Sequence, residues 1–208
     1  NIDDWFEERL AGDDPGAYAR HLSLEVGLPE IAVSTLHAKM LALLVGAMGA
    51  RNVLEIGTLG GYSACWMASA LPDEGRVISL EISPDHASVA RRALELAGQQ
   101  SKVEIVVGAA LDLPPQLSGP FDFVFIDANK EDNAAYFDWA VRLSRPGALI
   151  VVDNVVRDGK VLDADGGAQV QGVRRMVDAI HADTRVDATA IQTVGDKGYD
   201  GFLLARVR

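Results

Sequence analysis

Three oxygen-bearing side chains stand directly after two apolar runs of the chain. Residues 121–130 read FDFVFIDANK and residues 148–155 read ALIVVDNV. If the two runs are adjacent strands of a parallel sheet, Asp127, Asp153 and Asn154 meet at its carboxyl edge, where open α/β sheets bind ligands. Two carboxylates and an amide carbonyl suit Mg²⁺, and the lack of His or Cys among them argues against zinc. An aspartate at a strand end can also simply cap the turn that follows it, so the pair is a stronger signal than either residue alone.

Lys130 lies three residues after Asp127. A solvated surface lysine is the ordinary interpretation of such a residue. Beside a divalent cation, however, the neutral amine is favoured over the ammonium, and a neutral amine can accept a proton. Lys130 is therefore a candidate general base.

A glycine-rich turn lies early in the chain, where residues 55–62 read EIGTLGGY. A strand, a glycine-rich turn and a helix bring backbone close to a nucleotide-like ligand. A dinucleotide fingerprint starting at Gly57 needs glycine at positions 59 and 62, which are Leu and Tyr, so NAD is the poorer choice. The pattern formed by Glu55, Gly57 and Gly61 instead suits S-adenosylmethionine, which carries a ribose but no phosphate.

Glu81 ends the apolar run that follows this turn. A carboxylate at that place can accept hydrogen bonds from both hydroxyls of a ribose. The alternative is that the glycines only satisfy the backbone of a tight turn.

Alternating strands and helices from residue 52 onward position these residues. Short apolar runs predict seven strands, at 52–56, 76–81, 103–107, 121–126, 148–153, 188–194 and 202–207. The unbroken apolar runs are typical of parallel strands with helices on both faces. We therefore predict an α/β fold with a Rossmann-like doubly wound sheet, mostly parallel, ending in a C-terminal antiparallel hairpin. One domain is expected over residues 1–208, with residues 1–50 as a helical cover and 51–208 as the core.

Helical spacing and capping signals predict the helices. Ser34 is a plausible N-cap for a helix that continues to Met48, and Ser83-Pro84 begins another. The remaining helices are predicted at 3–10, 17–26, 62–70, 110–117, 133–143 and 170–182. Residues 155–169 form a long irregular stretch with glycines, a place where lids and substrate loops occur.

Composition excludes several classes of protein. The 208 residues include 30 acidic and 19 basic side chains, a net charge of −11, which disfavours nucleic acid as a partner. The single cysteine, Cys65, cannot form an intrachain disulfide and fits a reducing, cytoplasmic location. No apolar run reaches the roughly 18 residues of a membrane span, and the first residues do not read as a signal peptide.

Taken in order, these motifs resemble the metal-dependent class I O-methyltransferases, which include the catechol and caffeoyl-CoA O-methyltransferases. The resemblance is nearest to the small bacterial members and runs from about Val33 to the C-terminus. It rests on VLEIGTLGGYSA, ISLEISPD, VGAALD, FDFVFIDANK, LIVVDNV and YDGFLLARV.

The resemblance implies a role for individual residues. Asp127, Asp153 and Asn154 match the metal ligands, and Lys130 matches the general base. The cofactor-binding positions that it implies are Val33, Glu55, Gly57, Gly61, Ser63, Glu81, Ala110 and Asp127. The acidic residue that positions the catechol ring in the mammalian enzyme has no clear counterpart, and Val194 falls near its place. We also expect a homodimer, in which Trp5 and Phe6 belong to the core, cover the substrate site or meet the partner.

These observations predict Mg²⁺-dependent methyl transfer from S-adenosylmethionine to one hydroxyl of a vicinal diphenol. Three alternatives stay open at this point. They are a metal-independent methyltransferase of the same fold, a non-catalytic protein that binds the cofactor, and a nicotinamide dehydrogenase, which the glycine spacing disfavours.

Overall fold

Buried strands form the centre of each half of the chain. The structure, a computed structural model, describes residues 1–208 apart from the side chain of Pro114. The chain divides into two compact units, Asn1–Ala109 and Ala110–Arg208. The assignment of residues 1–50 as a cover and 51–208 as the core of one domain stays a prediction.

Three parallel strands form the core of the first unit: β1 (Asn52–Ile56), β2 (Arg76–Glu81) and β3 (Val103–Val107). β2 lies between the other two, and its Ile78 pairs with Leu54 of β1. All three strands have the predicted bounds. Their apolar residues are largely buried, as expected for parallel strands that are covered on both faces.

Five helices complete the first unit. They are α1 (Ile2–Phe6), which continues as a π-helical turn over Glu7–Ala11, then α2 (Ala17–Glu25), α3 (Thr35–Ala47), α4 (Tyr62–Ser69) and α5 (Pro84–Leu96). Ser34 caps α3 and Ser83 caps α5, and in each case the side-chain oxygen accepts a hydrogen bond from a first-turn amide. Trp5 is 52 % and Phe6 40 % exposed, so the core placement considered for them is wrong.

The second unit contains a mixed group of four strands. These are β4 (Phe121–Ile126), β5 (Ser144–Asp153), β6 (Val186–Gly195) and β7 (Gly198–Val207). β4 and β5 are parallel, whereas β7 runs antiparallel to both β5 and β6. Its two helices are α6 (Asn133–Leu143) and α7 (Ala168–Ala182).

Three predicted boundaries are corrected in this unit. The helix expected over residues 110–117 is only a 3-10 turn at Pro114–Gln116, since two consecutive prolines supply no amide hydrogens for a helix. β5 begins at Ser144 rather than Ala148, because Ser144 already pairs with Phe121. The final hairpin closes between Gly195 and Gly198, so its connection is shorter than the six residues expected.

The predicted fold class is confirmed. Parallel pairs dominate, the chain ends in an antiparallel hairpin, and helices separate the first five strands except β3 and β4, between which the described chain forms only the 3-10 turn. Among the described residues, no helix is long and apolar enough to cross a membrane.

Candidate active site

The glycine-rich turn between β1 and α4 is tied to the end of β2. Glu81 accepts hydrogen bonds from the amides of Thr58 (3.2 Å) and Leu59 (2.8 Å) on one carboxylate oxygen, and from Ser83 (2.9 Å) on the other. Leu59 has a φ of 49°, in the left-handed region that costs free energy for a branched side chain. The hydrogen bond from its amide to Glu81 helps to hold that conformation.

This geometry leaves Glu81 about one acceptor position for a ribose hydroxyl. A carboxylate has about four acceptor positions, and the backbone amides occupy three of them at most. The glycines at both ends of the turn have positive φ, 98° for Gly57 and 87° for Gly61, as a tight approach of backbone requires. Cofactor binding by these three residues stays a prediction that this geometry supports.

A buried carboxylate lies behind the turn. Glu55, on β1, has 0 % exposure and accepts short hydrogen bonds from the hydroxyls of Ser63 and Ser79. The hydroxyls of Ser79 and Thr58 are 2.6 Å apart, which extends the network to the turn. Glu55 therefore contacts Ser63 directly and can act on a ligand through it.

A polar cluster on the N-terminal helices was missed in the sequence. The guanidinium of Arg20 donates to the hydroxyls of Tyr62 and, at 3.0 Å, Thr35, and it lies 3.9 Å from the carboxylate of Asp14. Burial raises the pKa of Tyr62, so its hydroxyl stays protonated. The cluster joins α2 and the start of α3 to the first residue of α4. It also anchors the segment next to Val33, which is buried.

The acidic pair lies at the ends of β4 and β5. The two strands are parallel, with Ile126 opposite Val152, so Asp127 and Asp153 follow neighbouring positions. Asp153 has 6 % exposure, and its pKa is raised to about 7 because it is buried and because the charge of Asp127 lies nearby. Its Oδ1 accepts a hydrogen bond from the amide of Asn154 at 2.8 Å.

Lys130 is joined to this pair. Its Nζ donates to Oδ1 of Asp127 at 2.7 Å, and the lysine has only 5 % exposure. The interpretation of Lys130 as a solvated surface lysine is therefore wrong. A buried ammonium beside two carboxylates is shielded from solvent. Such an arrangement of ionisable groups is typical of a functional site.

Asp200, on β7, also bears on this cluster and was not singled out in the sequence. Its Oδ1 accepts hydrogen bonds from the amides of Val156 (3.0 Å), Arg157 (2.9 Å) and Gly201 (2.9 Å). It thereby fixes the start of the segment that follows Asn154, whose φ of 57° is left-handed. The YDG triplet could have drawn attention to this residue, since an aspartate before glycine is typical of a turn or a site.

The donor set fits a divalent cation. When both are ionised, Asp127 and Asp153 carry two negative charges against the single ammonium of Lys130. A dication would compensate both the burial of Asp153 and the repulsion from Asp127, the two causes that raise its pKa. Among the described residues, no three or more His, Cys, Asp or Glu side chains group as a metal site. The predicted ligand set contains only two such residues and an asparagine, so that finding does not contradict it.

Ala110, the remaining predicted cofactor contact, is half-buried at the start of the second unit. It comes two residues after Gly108, whose amide donates to the carbonyl of Glu81 at 2.9 Å. Its backbone contact to adenine stays a prediction.

Comparison with known protein families decides the class of the protein. The profile described as O-methyltransferase matches residues 18–207. The chain belongs to the O-methyltransferase family.

Cys65, in α4, is buried as expected and takes no part in the arrangement described above.

Individual O-methyltransferases are similar over the whole chain. A catechol O-methyltransferase from Mycobacterium tuberculosis is 52 % identical over 210 residues, covering 100 % of this chain and 96 % of the relative. Another from Niastella koreensis is 50 % identical over 214 residues, covering 100 % and 97 %. The crystal structure of the O-methyltransferase from Bacillus cereus in complex with SAH is 47 % identical, with a TM-score of 0.96 over 100 % of this chain and 97 % of that one.

The protein is therefore an S-adenosylmethionine-dependent O-methyltransferase. This assignment sets aside the nicotinamide dehydrogenase and the non-catalytic binding protein as alternatives.

Proposed function

We propose that this O-methyltransferase transfers a methyl group from S-adenosylmethionine to one hydroxyl of a vicinal diphenol, with Mg²⁺ as the metal ion. The observation that carries the proposal is the acidic pair of the half-buried Asp127 and the buried Asp153, with the buried Lys130 ion-paired to Asp127. Two relatives named catechol O-methyltransferase, each about half identical to this chain, support the choice of acceptor.

Asp127, Asp153 and Asn154 would hold the cation. Oxygen donors of this kind suit Mg²⁺, which retains several water ligands and can exchange two of them for an acceptor. When bound, the cation would act as a Lewis acid and make the phenolic protons of the acceptor more acidic. Two adjacent hydroxyls can replace both water ligands, whereas a single phenol offers only one ligand.

Lys130 would accept the phenolic proton. For this step the ammonium of Lys130 would first release a proton to solvent, which ends its ion pair with Asp127, and the resulting neutral amine would then take the phenolic proton. The phenolate oxygen then forms a bond to the methyl carbon while the carbon–sulfur bond breaks. The electron pair of that bond stays on sulfur, and neutral S-adenosylhomocysteine leaves. Positioning of the two reactants can contribute about 7–11 kcal/mol to such a transfer.

The donor would be bound mainly by the first unit. Glu81 would accept a hydrogen bond from the ribose, and Gly57 and Ser63 would contact the methionine part. Val33, Glu55 and Gly61 of the first unit, with Ala110 and Asp127 of the second, complete the proposed cofactor contacts. Residues 155–169 and the N-terminal helices would exclude water and select the acceptor. The exposed Trp5 and Phe6 support a covering role or contact with a partner in a homodimer. Homodimerisation and a cytoplasmic location both stay predictions.

A panel of acceptors assayed with labelled S-adenosylmethionine tests the proposal. Catechol, caffeoyl thioesters and flavonoid diphenols should be methylated in the presence of Mg²⁺. Guaiacol and phenol, which lack the second free hydroxyl, serve as matched controls and should not react. EDTA should abolish turnover, and added Mg²⁺ should restore it. Methylation that continues in EDTA would favour the metal-independent alternative.

A further inference from the structure

Helix α7 meets the turn that carries Lys130 at a glycine. A Cβ atom added to Gly172 would lie 2.1 Å from the carbonyl oxygen of Lys130, 2.6 Å from Cα of Glu131 and 2.7 Å from the carbonyl carbon of Lys130. All three are backbone atoms, which cannot move aside as the end of a flexible side chain can. The space between α7 and this 3-10 turn (Lys130–Asp132) therefore admits no side chain at position 172.

Glycine at position 172 makes helix α7 less stable than alanine would. Gly172 is a buried residue inside the fifteen-residue helix α7, where glycine is less favourable than alanine by about 1 kcal/mol. It has an ordinary helical conformation, so a positive φ does not explain its presence. The close approach of the Lys130 turn does explain it.

Other contacts hold the same turn against α7. Nη2 of Arg175, one helical turn after Gly172, donates to the carbonyl of Glu131 at 3.1 Å. On the turn itself, Oδ1 of Asn129 accepts the amide of Glu131 at 3.3 Å. The backbone at Lys130 is thus fixed on one side by α7 and internally by Asn129.

We propose that Gly172 is a positioning residue for Lys130, acting through the backbone of the turn. The inference rests on the proposed function, in which Lys130 takes the phenolic proton. Proton transfer requires heavy atoms within about 2.6–3.2 Å, and displacement of about 1 Å can cost 10²-fold in rate. A side chain at position 172 would push the backbone of Lys130 by such an amount and carry Nζ away from the acceptor.

Gly172→Ala tests the inference, with Gly46→Ala as its matched control. Gly46 is also a helical glycine, in α3, and its added Cβ would meet only Cβ of Ala70, at 4.0 Å. Both substitutions therefore bring the same change in helix propensity, but only one meets backbone. Hydrogen exchange should become faster at the amides of residues 130–133 in Gly172→Ala and stay unchanged there in Gly46→Ala.

Turnover supplies the second measurement. Gly172→Ala should lower kcat for catechol by roughly 10- to 100-fold, with a smaller loss for the more acidic 4-nitrocatechol and little change in KM for S-adenosylmethionine. In a Lys130→Met background the same substitution should cause no further loss, because a residue that acts through Lys130 has nothing left to position. A merely structural role would lower kcat in both backgrounds.

The outcomes of the two measurements either support the inference or overturn it. Faster exchange at residues 130–133 together with a loss that disappears in the Lys130→Met background supports the inference. Unchanged exchange, or an equal further loss in that background, overturns it. If Gly172→Ala does not fold, the same two measurements are made on Arg175→Ala. That variant removes only the hydrogen bond to Glu131. Failure of the proposed function shows separately, as wild-type turnover in Lys130→Met, and the exchange result then still decides whether Gly172 places the turn.

Discussion

Asp153 is buried and lies close to the carboxylate of Asp127, an arrangement that suits the binding of a cation. Asp153→Ala would remove one of the proposed anionic ligands and leave Asp127 and Asn154 with too few protein oxygens for Mg²⁺. Loss of an outer partner of a metal site already costs roughly 10–100-fold, so loss of a ligand should cost more. Diphenol turnover at saturating S-adenosylmethionine measures this loss. Affinity for the cofactor, measured by calorimetry, should change little, and near-normal turnover of the variant in EDTA would contradict the metal role.

The contribution of Lys130 depends on the acidity of the acceptor. Lys130→Met keeps much of the aliphatic stem but cannot take a proton, so turnover of catechol should fall by roughly 10²–10⁴-fold. The loss should be smaller for nitrocatechol, which is already largely ionised and needs no base. Steady-state kinetics on both acceptors measure the difference. Equal losses on the two would assign Lys130 to positioning of the substrate instead.

Glu81 combines two tasks that a substitution removes together. Glu81→Ala takes away a charged acceptor for the ribose and also the acceptor for the amides of Thr58, Leu59 and Ser83. Hydrogen bonds to charged groups contribute about 1.5–3 kcal/mol, so affinity for S-adenosylmethionine should fall by at least roughly ten-fold. Calorimetry measures it, with the exposed Glu104 on β3 replaced by alanine as the control. An unchanged dissociation constant in Glu81→Ala would remove Glu81 from the cofactor site.

At the scale of helices, the two glycines of α3 and α7 should respond to alanine with opposite signs. Gly46→Ala should stabilise the protein by about 0.4–1 kcal/mol, because alanine restricts the unfolded chain and its Cβ makes only an ordinary van der Waals contact with Ala70, at 4.0 Å. For a chain of this length that is an increase in Tm of roughly 1–4 °C. Thermal unfolding followed by circular dichroism checks this, and a lower Tm would show that α3 does not tolerate the added methyl group.

The first four strands could be predicted residue by residue, while several contacts could not. Apolar runs such as residues 121–126 are buried on both faces, so their pattern stops where the strand stops. The helix predicted over residues 110–117 is wrong because its two prolines supply no amide hydrogens. The Asp200 hydrogen bonds join residues more than forty positions apart, and the contact of Gly172 with Lys130 depends on packing. The YDG triplet marks Asp200 but not its distant partners, and nothing local to Gly172 indicates its contact.

At the site, the residue types and their positions at strand ends predicted the acidic group. The surroundings of Lys130 could not be predicted in this way. That Asp127, Lys130 and Asp153 would lie together followed from parallel strands. That Lys130 would be buried and ion-paired did not follow, since a lysine in a turn is usually solvated.

At the scale of the whole molecule, the buried thiol of Cys65 reports on the core of the first unit. Burial raises its pKa to about 12, with a smaller contribution from the charge of Glu55. Almost no thiolate therefore exists at pH 8, and the thiolate is the reactive form. Native protein should react with Ellman's reagent far more slowly than protein in denaturant, and the native rate should follow unfolding as temperature rises. Rapid reaction of the native protein would contradict the burial of Cys65.

The division of the chain at residues 109 and 110 has a consequence for how such enzymes can diverge. The glycine-rich turn and Glu81 belong to the first unit, whereas the proposed metal ligands, Lys130 and Gly172 all belong to the second. In the proposed function, most of the donor contacts and the groups that activate the acceptor hydroxyl are thus encoded in successive stretches of sequence, with Ala110 and Asp127 as donor contacts in the second. Substitutions that accumulate after residue 110 can alter which hydroxyl is methylated while the turn that recognises the donor is inherited unchanged. A lineage can in this way acquire new acceptors without having to rediscover its methyl donor.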